Sequence, residues 1–128
     1  SGYYDQYLMA YSKVLAERVR KYLSGLGEFQ IEEKTMMGGL AFMVNGKMCI
    51  NISDENLMCR VDPALKEELS RRTGYQPMVM KGRVLDGYCY IEPEGTETER
   101  ALSYWIELCL NYNQHAKASV KKRKAEKV

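Results

Sequence analysis

Two apolar segments flank an Asn-Gly dipeptide in Leu40-Ala41-Phe42-Met43-Val44-Asn45-Gly46-Lys47-Met48-Cys49-Ile50-Asn51-Ile52. Asn-Gly is the dipeptide that most readily adopts the two positive φ angles of a type I′ hairpin turn. Direct pairing across this turn predicts an inner face made of Ala41, Met43, Met48, Ile50 and Ile52. The other set contains the polar residues and is therefore assigned to the outer face. Its members are Leu40, Phe42, Val44, Lys47, Cys49 and Asn51. This antiparallel hairpin is the centre of the predicted fold.

A helix and a strand are predicted before the hairpin. Apolar residues at steps of three or four predict an amphipathic helix over residues 4–26, with a stripe of Tyr4, Leu8, Tyr11, Leu15, Val19, Tyr22 and Leu26. The glycines at 25 and 27 are typical of a helix end. Alternation of apolar and polar residues then predicts a strand from Phe29 to about Met36, which ends at Gly38-Gly39.

A third strand and a short helix are predicted after the hairpin. The segment from Leu57 to Val61 alternates so that Leu57, Cys59 and Val61 point inward, and Met58 and Arg60 point outward. Asp62-Pro63 is a typical helix start, because Asp caps the free amides and Pro fits the first helical position.

The rest of the chain predicts a second hairpin and a last helix. Strands at residues 78–85 and 88–92 flank Asp86-Gly87, although Gly82 can disturb their register. This pairing points Val84, Cys89 and Ile91 inward and Tyr88 and Tyr90 outward. Thr96 with Glu99 resembles a capping box that starts the last helix. The predicted architecture is an antiparallel α+β domain with a five-stranded sheet and the order α-β-β-β-α-β-β-α.

Composition and charge predict one globular domain with a basic end. The chain has 128 residues, of which 45% are hydrophobic and 28% charged. Residues 1–114 are predicted to form the α+β domain, with 13 basic and 16 acidic side chains. Residues 115–128 carry six basic side chains and one acidic side chain, and we expect a flexible tail. No signal peptide opens the chain, and no apolar run approaches the roughly 20 residues of a membrane span, so we expect a cytoplasmic protein without membrane contact.

The stretch around the first hairpin resembles a known family. Residues 36–48, Met-Met-Gly-Gly-Leu-Ala-Phe-Met-Val-Asn-Gly-Lys-Met, resemble the M-F-G-G-x-x-F-x-x-N-G-K-M signature of the TfoX/Sxy N-terminal domain family. Further matches follow in order as Gly82-Arg83, Gly87-Tyr88 and Pro93-Glu94-Gly95, and the resemblance covers about residues 8–113. The motif and turn positions are Met36, Gly38, Gly39, Asn45, Gly46, Lys47, Gly82, Arg83 and Gly87.

The resemblance implies a fold and a role. The implied fold is similar to that of the type III secretion chaperones. The better-known members are bacterial regulators of natural competence and transcription that act alongside the cyclic-AMP receptor protein, so the implied partner is a transcription regulator. Those members carry a second, C-terminal domain of helix–hairpin–helix character. Here a basic tail follows the last helix, and we expect a stand-alone N-terminal domain.

The residue types indicate no catalytic, cofactor or metal site. Cys49, Cys59, Cys89 and Cys109 form no C-x-x-C pair, and His115 is the single histidine. We therefore expect buried, reduced thiols that act as small apolar side chains. Gly38-Gly39 lacks the Lys-Ser/Thr pair of a phosphate-binding loop. The sequence thus predicts a non-enzymatic protein with no cofactor.

A protein interface is predicted on the outer face of the sheet. Flexible methionines, aromatic rings and arginine are typical of such surfaces. The predicted interface residues are Leu40, Phe42, Cys49, Met58, Arg60, Tyr88 and Tyr90. Three alternatives remain open, which are a separate protein partner, a second copy in a homodimer, and permanent cover by the chain itself.

The basic tail supports an alternative function. Lys121, Lys122, Arg123 and Lys124 would neutralise about four phosphates, which predicts weak, sequence-independent nucleic-acid binding with a log–log salt slope of about −4. The alternative function is therefore a small nucleic-acid-associated protein. The competing interpretation is a solvated terminus with no specific role.

Overall fold

The first helix packs on the sheet and is held at its start by a serine. The computed structural model describes residues 11–116. Helix α1 (Lys13–Ser24) begins after Ser12, whose Oγ accepts a hydrogen bond from the amide of Leu15 at 3.1 Å. The predicted helix is therefore confirmed over residues 13–24. It is wrong at Tyr11, which forms a β-bridge with Asp54, and at the extended Ser12, and its predicted residues 4–10 fall outside the described residues. Within residues 11–116 no helix is long and apolar enough to cross a membrane.

The sheet has six antiparallel strands, so the predicted count of five is wrong. They are β1 (Ile31–Met36), β2 (Gly39–Val44), β3 (Lys47–Ser53), β4 (Asn56–Arg60), β5 (Tyr75–Met80) and β6 (Arg83–Ile91). Their spatial order is β1-β2-β3-β4-β6-β5. Four strands precede the middle helix rather than the three of the predicted order, because that order does not count the strand predicted at residues 29–36, which the structure shows as the edge strand β1. The antiparallel α+β class is confirmed.

A β-bulge in β3 changes which hairpin residues face the core. Met43 pairs with Met48 as predicted, but Phe42 pairs with Ile50, so Cys49 is an extra residue on β3. A bulge of this kind shifts every pair beyond it by one position and so exchanges the faces. Leu40, Phe42, Val44 and Cys49, all predicted to point outward, lie in the core cluster with Ile50 and Ile52. The face that holds this cluster is called the inner face below, and the opposite one the outer face.

The second hairpin turns at Lys81-Gly82, not at Asp86-Gly87. Lys81 and Gly82 have φ angles of 53° and 77°, and β6 then runs without interruption past Gly87. Gly87 has a φ of 86° inside the strand, and its carbonyl accepts from the amide of Val61 at 2.9 Å. The inward prediction for Val84 is wrong, since this side chain is 45% exposed.

Short helical segments follow β4 and β6. A 3₁₀ turn (Pro63–Leu65) leads into α2 (Lys66–Leu69), and the carboxylate of Asp62 accepts from the amide of Ala64 at 2.9 Å, so the predicted start is confirmed. A second 3₁₀ turn (Pro93–Gly95) precedes the last helix.

The last helix, α3 (Glu99–Asn113), completes the core on the inner face. Its cap is Thr98, which accepts from the amide of Ala101 at 3.0 Å, so the predicted cap at Thr96 is wrong. The carbonyl of Thr96 instead accepts from Arg18 of α1 at 2.8 Å. Trp105 and Ile106 of α3 are buried in the core cluster. The domain is therefore a sheet with both long helices on one face.

Candidate functional site

Four predicted interface residues share the outer face of the sheet. In the pairing of β4 with β6, Met58 lies opposite Tyr90, and Arg60 lies opposite Tyr88. The residues that alternate with them, Cys59 and Cys89 among others, belong to the core cluster on the inner face. Met58, Arg60, Tyr88 and Tyr90 therefore form one contiguous group, called the outer strip.

The outer strip combines an apolar centre with amphipathic neighbours. Met58 is 1% exposed, whereas Arg60, Tyr88 and Tyr90 are partly exposed. The guanidinium carbon of Arg60 lies 5.8 Å from the centroid of the Tyr88 ring, within the range of a cation–π interaction. This contact orients both side chains next to each other. The strip can therefore offer aromatic area and a positive charge together.

The other three predicted interface residues do not belong to this surface. Leu40, Phe42 and Cys49 are buried in the core cluster between the sheet and the helices, and Phe42 is 0% exposed. A partner could reach them only if the domain unfolded. Their assignment to the interface is wrong, and its cause is the β-bulge at Cys49, which no residue pattern in the hairpin indicated.

Gly39 of the motif allows its backbone to lie very close to β3. A Cβ atom on Gly39 would lie 2.1 Å from the carbonyl oxygen of Ile52 and 2.6 Å from Oδ1 of Asn51. The side chain of Asn51 is buried, and its Nδ2 donates to the carbonyl of Met36 at 3.1 Å. Glycine at position 39 thus lets the β1–β2 turn pack against β3. These motif residues have a structural role.

Three of the remaining motif glycines, Gly38, Gly46 and Gly82, lie in hairpin turns, whereas Gly87 lies within β6. Met37-Gly38, Asn45-Gly46 and Lys81-Gly82 are pairs in which both φ angles are positive, as two-residue hairpins of type I′ require. Asn45 also accepts a hydrogen bond through Oδ1 from the amide of Gln30 at 3.0 Å. Lys47 and Arg83 begin the strands that leave these turns. The motif therefore specifies the sheet rather than a chemical centre.

The cysteines are free and buried, as predicted. Burial is the main cause that raises the pKa of Cys59, and its contacts with Cys109 and Cys89 raise the pKa further. Burial likewise raises the pKa of Cys49. Neutral thiols are poor nucleophiles. No three histidine, cysteine or acidic side chains within residues 11–116 come together in a way that could hold a metal ion.

A second surface was missed by the sequence analysis. It is an open groove of about 740 Å³ between the helical segment at residues 63–70 and the second hairpin. Its lining, which defines the hairpin groove, consists of Pro63, Ala64, Lys66, Glu67, Ser70, Tyr75, Pro77 and Val84. Burial raises the pKa of the Tyr75 phenol in this lining. The one sequence signal for this surface was Gly82, because a turn there moves Val84 away from the core.

Fold and site together define a small α+β domain. Motif glycines lie in three of its hairpin turns, and amphipathic side chains line the outer face of its sheet. The model of the TfoX N-terminal domain family matches residues 21–112, which is most of the chain. The chain belongs to this family, and the resemblance seen in its sequence is confirmed. Searches of the curated proteins and of the solved structures found no match. The likeness to secretion chaperones stays a prediction.

The predicted nucleic-acid residues are not part of the site described above. Lys121, Lys122, Arg123 and Lys124 lie outside the described residues, as does the rest of the tail after residue 116.

Proposed function

We propose that this TfoX-family chain is a non-enzymatic regulatory or adaptor domain that binds a protein partner in the cytoplasm through its outer strip. The implied partner is a regulator of transcription. The observation that carries the proposal is the arrangement of Met58, Arg60, Tyr88 and Tyr90 on one face of the sheet, while both long helices pack on the other.

The composition of the strip supports a protein as the ligand. Tyrosine, methionine and arginine are enriched in the cores of protein interfaces, and tyrosine and arginine are frequent hot spots. Met58 is 1% exposed and offers a partner no surface of its own, so the accessible part of the strip consists of Arg60, Tyr88 and Tyr90. A partner with an apolar contact surface and a carboxylate for Arg60 would match this arrangement.

The test is affinity capture from the native host lysate after nuclease treatment. The bait is the full chain with a tag, and the test variant is Tyr88→Ala/Tyr90→Ala, which leaves the core cluster intact. We expect at least a tenfold loss of the specific partner in this variant, since one interfacial tyrosine at a hot spot contributes about 2 kcal/mol or more. Val14→Ala is the control, because Val14 is 72% exposed on α1.

Circular dichroism and thermal melting should show that all three proteins are equally folded. If the tyrosine variant retains the same proteins as the wild type, the outer strip is not the interface. Retention that disappears with nuclease, or with deletion of residues 117–128, would instead favour the nucleic-acid alternative. In that case the log–log salt slope of binding should be about −4.

A further inference from the structure

The centre of the outer face is buried, although both long helices lie on the other face of the sheet. Directly paired residues form one row across the outer face, which consists of Lys34, Ala41, Asn51, Met58, Tyr90 and Gln76. The two ends of the row are exposed, whereas Ala41 is 0% exposed and Asn51 and Met58 are each 1% exposed. These three middle residues are called the buried row below.

The core on the inner face does not account for this burial. An antiparallel sheet with one face in water shows buried and exposed residues in alternation, but β2, β3 and β4 each carry a run of consecutive buried residues. Ala41 and Met58 are not members of the core cluster, which contains the buried sides of all three helices. A methionine side chain rises above the face of a sheet, so its burial requires atoms above that face.

The dimensions of the buried row fit one narrow segment. The row crosses β2, β3 and β4, and neighbouring strands are about 4.8 Å apart, so its width is about 10 Å. One helix with its side chains has a diameter of about 10–12 Å. A single helix or one extended segment is therefore sufficient to cover the row.

Asn51 adds a polar requirement to the cover. Its Nδ2 donates to the carbonyl of Met36, but its buried Oδ1 accepts from no donor among the described residues. A buried acceptor without a donor is unfavourable. The segment above the row should therefore supply a hydrogen-bond donor together with apolar surface.

The chain reaches the sheet close to the buried row. The amide of Ser12 donates to the carbonyl of Asp54 at 2.6 Å, and Tyr11 forms a parallel bridge with Asp54. Asp54 lies between β3 and β4, three residues from Asn51 and four from Met58, which is about 10–13 Å along a strand. From this point α1 continues on the inner face. The residues before Tyr11 therefore start at the end of the sheet, from which the outer face is equally near.

We infer that residues 3–10, which lie outside the described residues, occupy the outer face and cover the buried row. Eight residues span about 12 Å as a helix and about 26 Å when extended, so the segment reaches the row in either conformation. It has one charged side chain, Asp5, and its large apolar side chains are Tyr3, Tyr4, Tyr7, Leu8 and Met9. The apolar groups match Met58, and the tyrosine hydroxyls are donors for Asn51.

The other end of the chain is a poorer match for the buried row. Residues 117–128 contain six basic side chains, and Val120 and Val128 are their only large apolar side chains. The inference is independent of the proposed partner binding, because the accessible residues of the outer strip, Arg60, Tyr88 and Tyr90, are not members of the buried row.

Oxidation of the full chain by hydrogen peroxide, followed by peptide mass spectrometry, tests the inference at Met58. Met80 is 42% exposed and serves as the reference within the same molecule. We expect Tyr7→Asp/Leu8→Asp to raise the oxidation rate of Met58 relative to Met80 about tenfold or more, since oxidation follows exposure. The matched control is Ala118→Asp/Val120→Asp, which adds the same two charges in the tail and should leave Met58 protected.

Cys59 shows whether the variant is still folded. It follows Met58 directly but lies in the core cluster of the inner face, so it should stay unreactive towards Ellman's reagent while Met58 is oxidised. If both residues react, the variant has lost its fold, and the wild-type chain then decides the question. In its NMR spectrum the ε-methyl group of Met58 should show a nuclear Overhauser effect to a side chain of residues 3–10, and absence of this effect overturns the proposal.

Three other outcomes also overturn the proposal. Met58 that stays protected in the folded Tyr7→Asp/Leu8→Asp variant does not lie under residues 3–10. Oxidation of Met58 in the tail variant would assign the cover to residues 117–128. Protection that fades when the wild-type chain is diluted would assign it to a second copy.

Discussion

The motif contains the glycine pair Gly38-Gly39. Replacement of Gly39 by alanine tests whether close packing against β3, rather than the backbone geometry of the turn, requires glycine at position 39. A Cβ atom at position 39 would approach the carbonyl oxygen of Ile52 to 2.1 Å and Oδ1 of Asn51 to 2.6 Å. Neither distance is tolerable, and the closer atom belongs to the backbone, so β2 and β3 have to move apart. At Gly38, a Cβ atom would meet nothing within 4 Å, and the only cost is its φ of 75°.

The two glycines therefore predict different losses of stability. Gly38→Ala should cost about 1–2 kcal/mol, which is the penalty of a left-handed conformation for a residue with a Cβ atom. Gly39→Ala should cost about 1–3 kcal/mol for overpacking. A further loss of about 1 kcal/mol is expected if Asn51 gives up its hydrogen bond to Met36. We expect a total near 3 kcal/mol for position 39.

Urea unfolding followed by tryptophan fluorescence measures both variants. Trp105 is the single tryptophan and is buried, so its emission should report loss of the core. With a slope of about 1–3 kcal/mol per molar urea, a loss of 3 kcal/mol lowers the midpoint by about 1–3 M. If Gly38→Ala lowers stability as much as Gly39→Ala or more, the reasoning from the Cβ contacts is refuted.

Three further predictions concern the core, the thiols and one ion pair. Phe42→Ala should cost about 3–5 kcal/mol in the same urea assay, since the ring is fully buried, and a loss below 1 kcal/mol would contradict its place in the core. The four buried thiols should not react with Ellman's reagent in the folded protein and should all react in denaturing urea; a fast phase without denaturant would show that one is accessible. The hydrogen bond from Arg20 holds the pKa of Glu33 below its usual 4.5. The ionised Glu33 therefore stabilises the folded protein above the pKa that it has in the unfolded chain, and this contribution is lost as pH falls through the lower pKa of the folded state. The wild type should thus be more stable than Glu33→Gln at pH 7, and the difference should shrink in urea titrations below about pH 4.

Some of the local turn and cap chemistry was readable from the sequence, although the cap at Thr96 and the turn at Asp86-Gly87 were not. Asn45-Gly46 turns the first hairpin, and Asp62 caps the segment that Pro63 begins, as both residue types predict. In each case the preferred backbone conformation depends on two neighbouring residues, so tertiary contacts are not needed to predict it. The helices, the hairpin and the fold class followed from such local signals.

The faces of the first hairpin were not readable, because they depend on a bulge. Both faces of residues 40–52 are rich in apolar side chains, so polarity did not fix the register. The extra residue at Cys49 brings Phe42 opposite Ile50, and the resulting face packs under α1 and α3. Only the completed core selects this register over direct pairing. The candidate site therefore lost three of its predicted residues at this point.

The second hairpin shows a similar ambiguity between two glycines. Gly82 and Gly87 both have positive φ angles, at 77° and 86°. Gly82 lies in the turn, whereas Gly87 continues a strand and lies against Pro63, 3.4 Å from where its Cβ would be. Sequence alone offers Asp86-Gly87 as the better turn dipeptide. Tertiary packing against the loop after β4 decides otherwise, and it thereby exposes Val84 and creates the hairpin groove.

The residues of the two edge strands indicate that this domain binds other molecules through side-chain surfaces and not by pairing of strands. β1 is lined by Glu32, Glu33 and Lys34, and charged residues on an edge strand disfavour pairing with another strand. β5 contains Pro77, which removes a backbone donor from the other edge. Because strand addition is disfavoured at both edges, side-chain surfaces are what remains for association. The outer strip and the hairpin groove adjoin each other, because Tyr88 lines a small cavity together with Pro63, Lys66 and Tyr75.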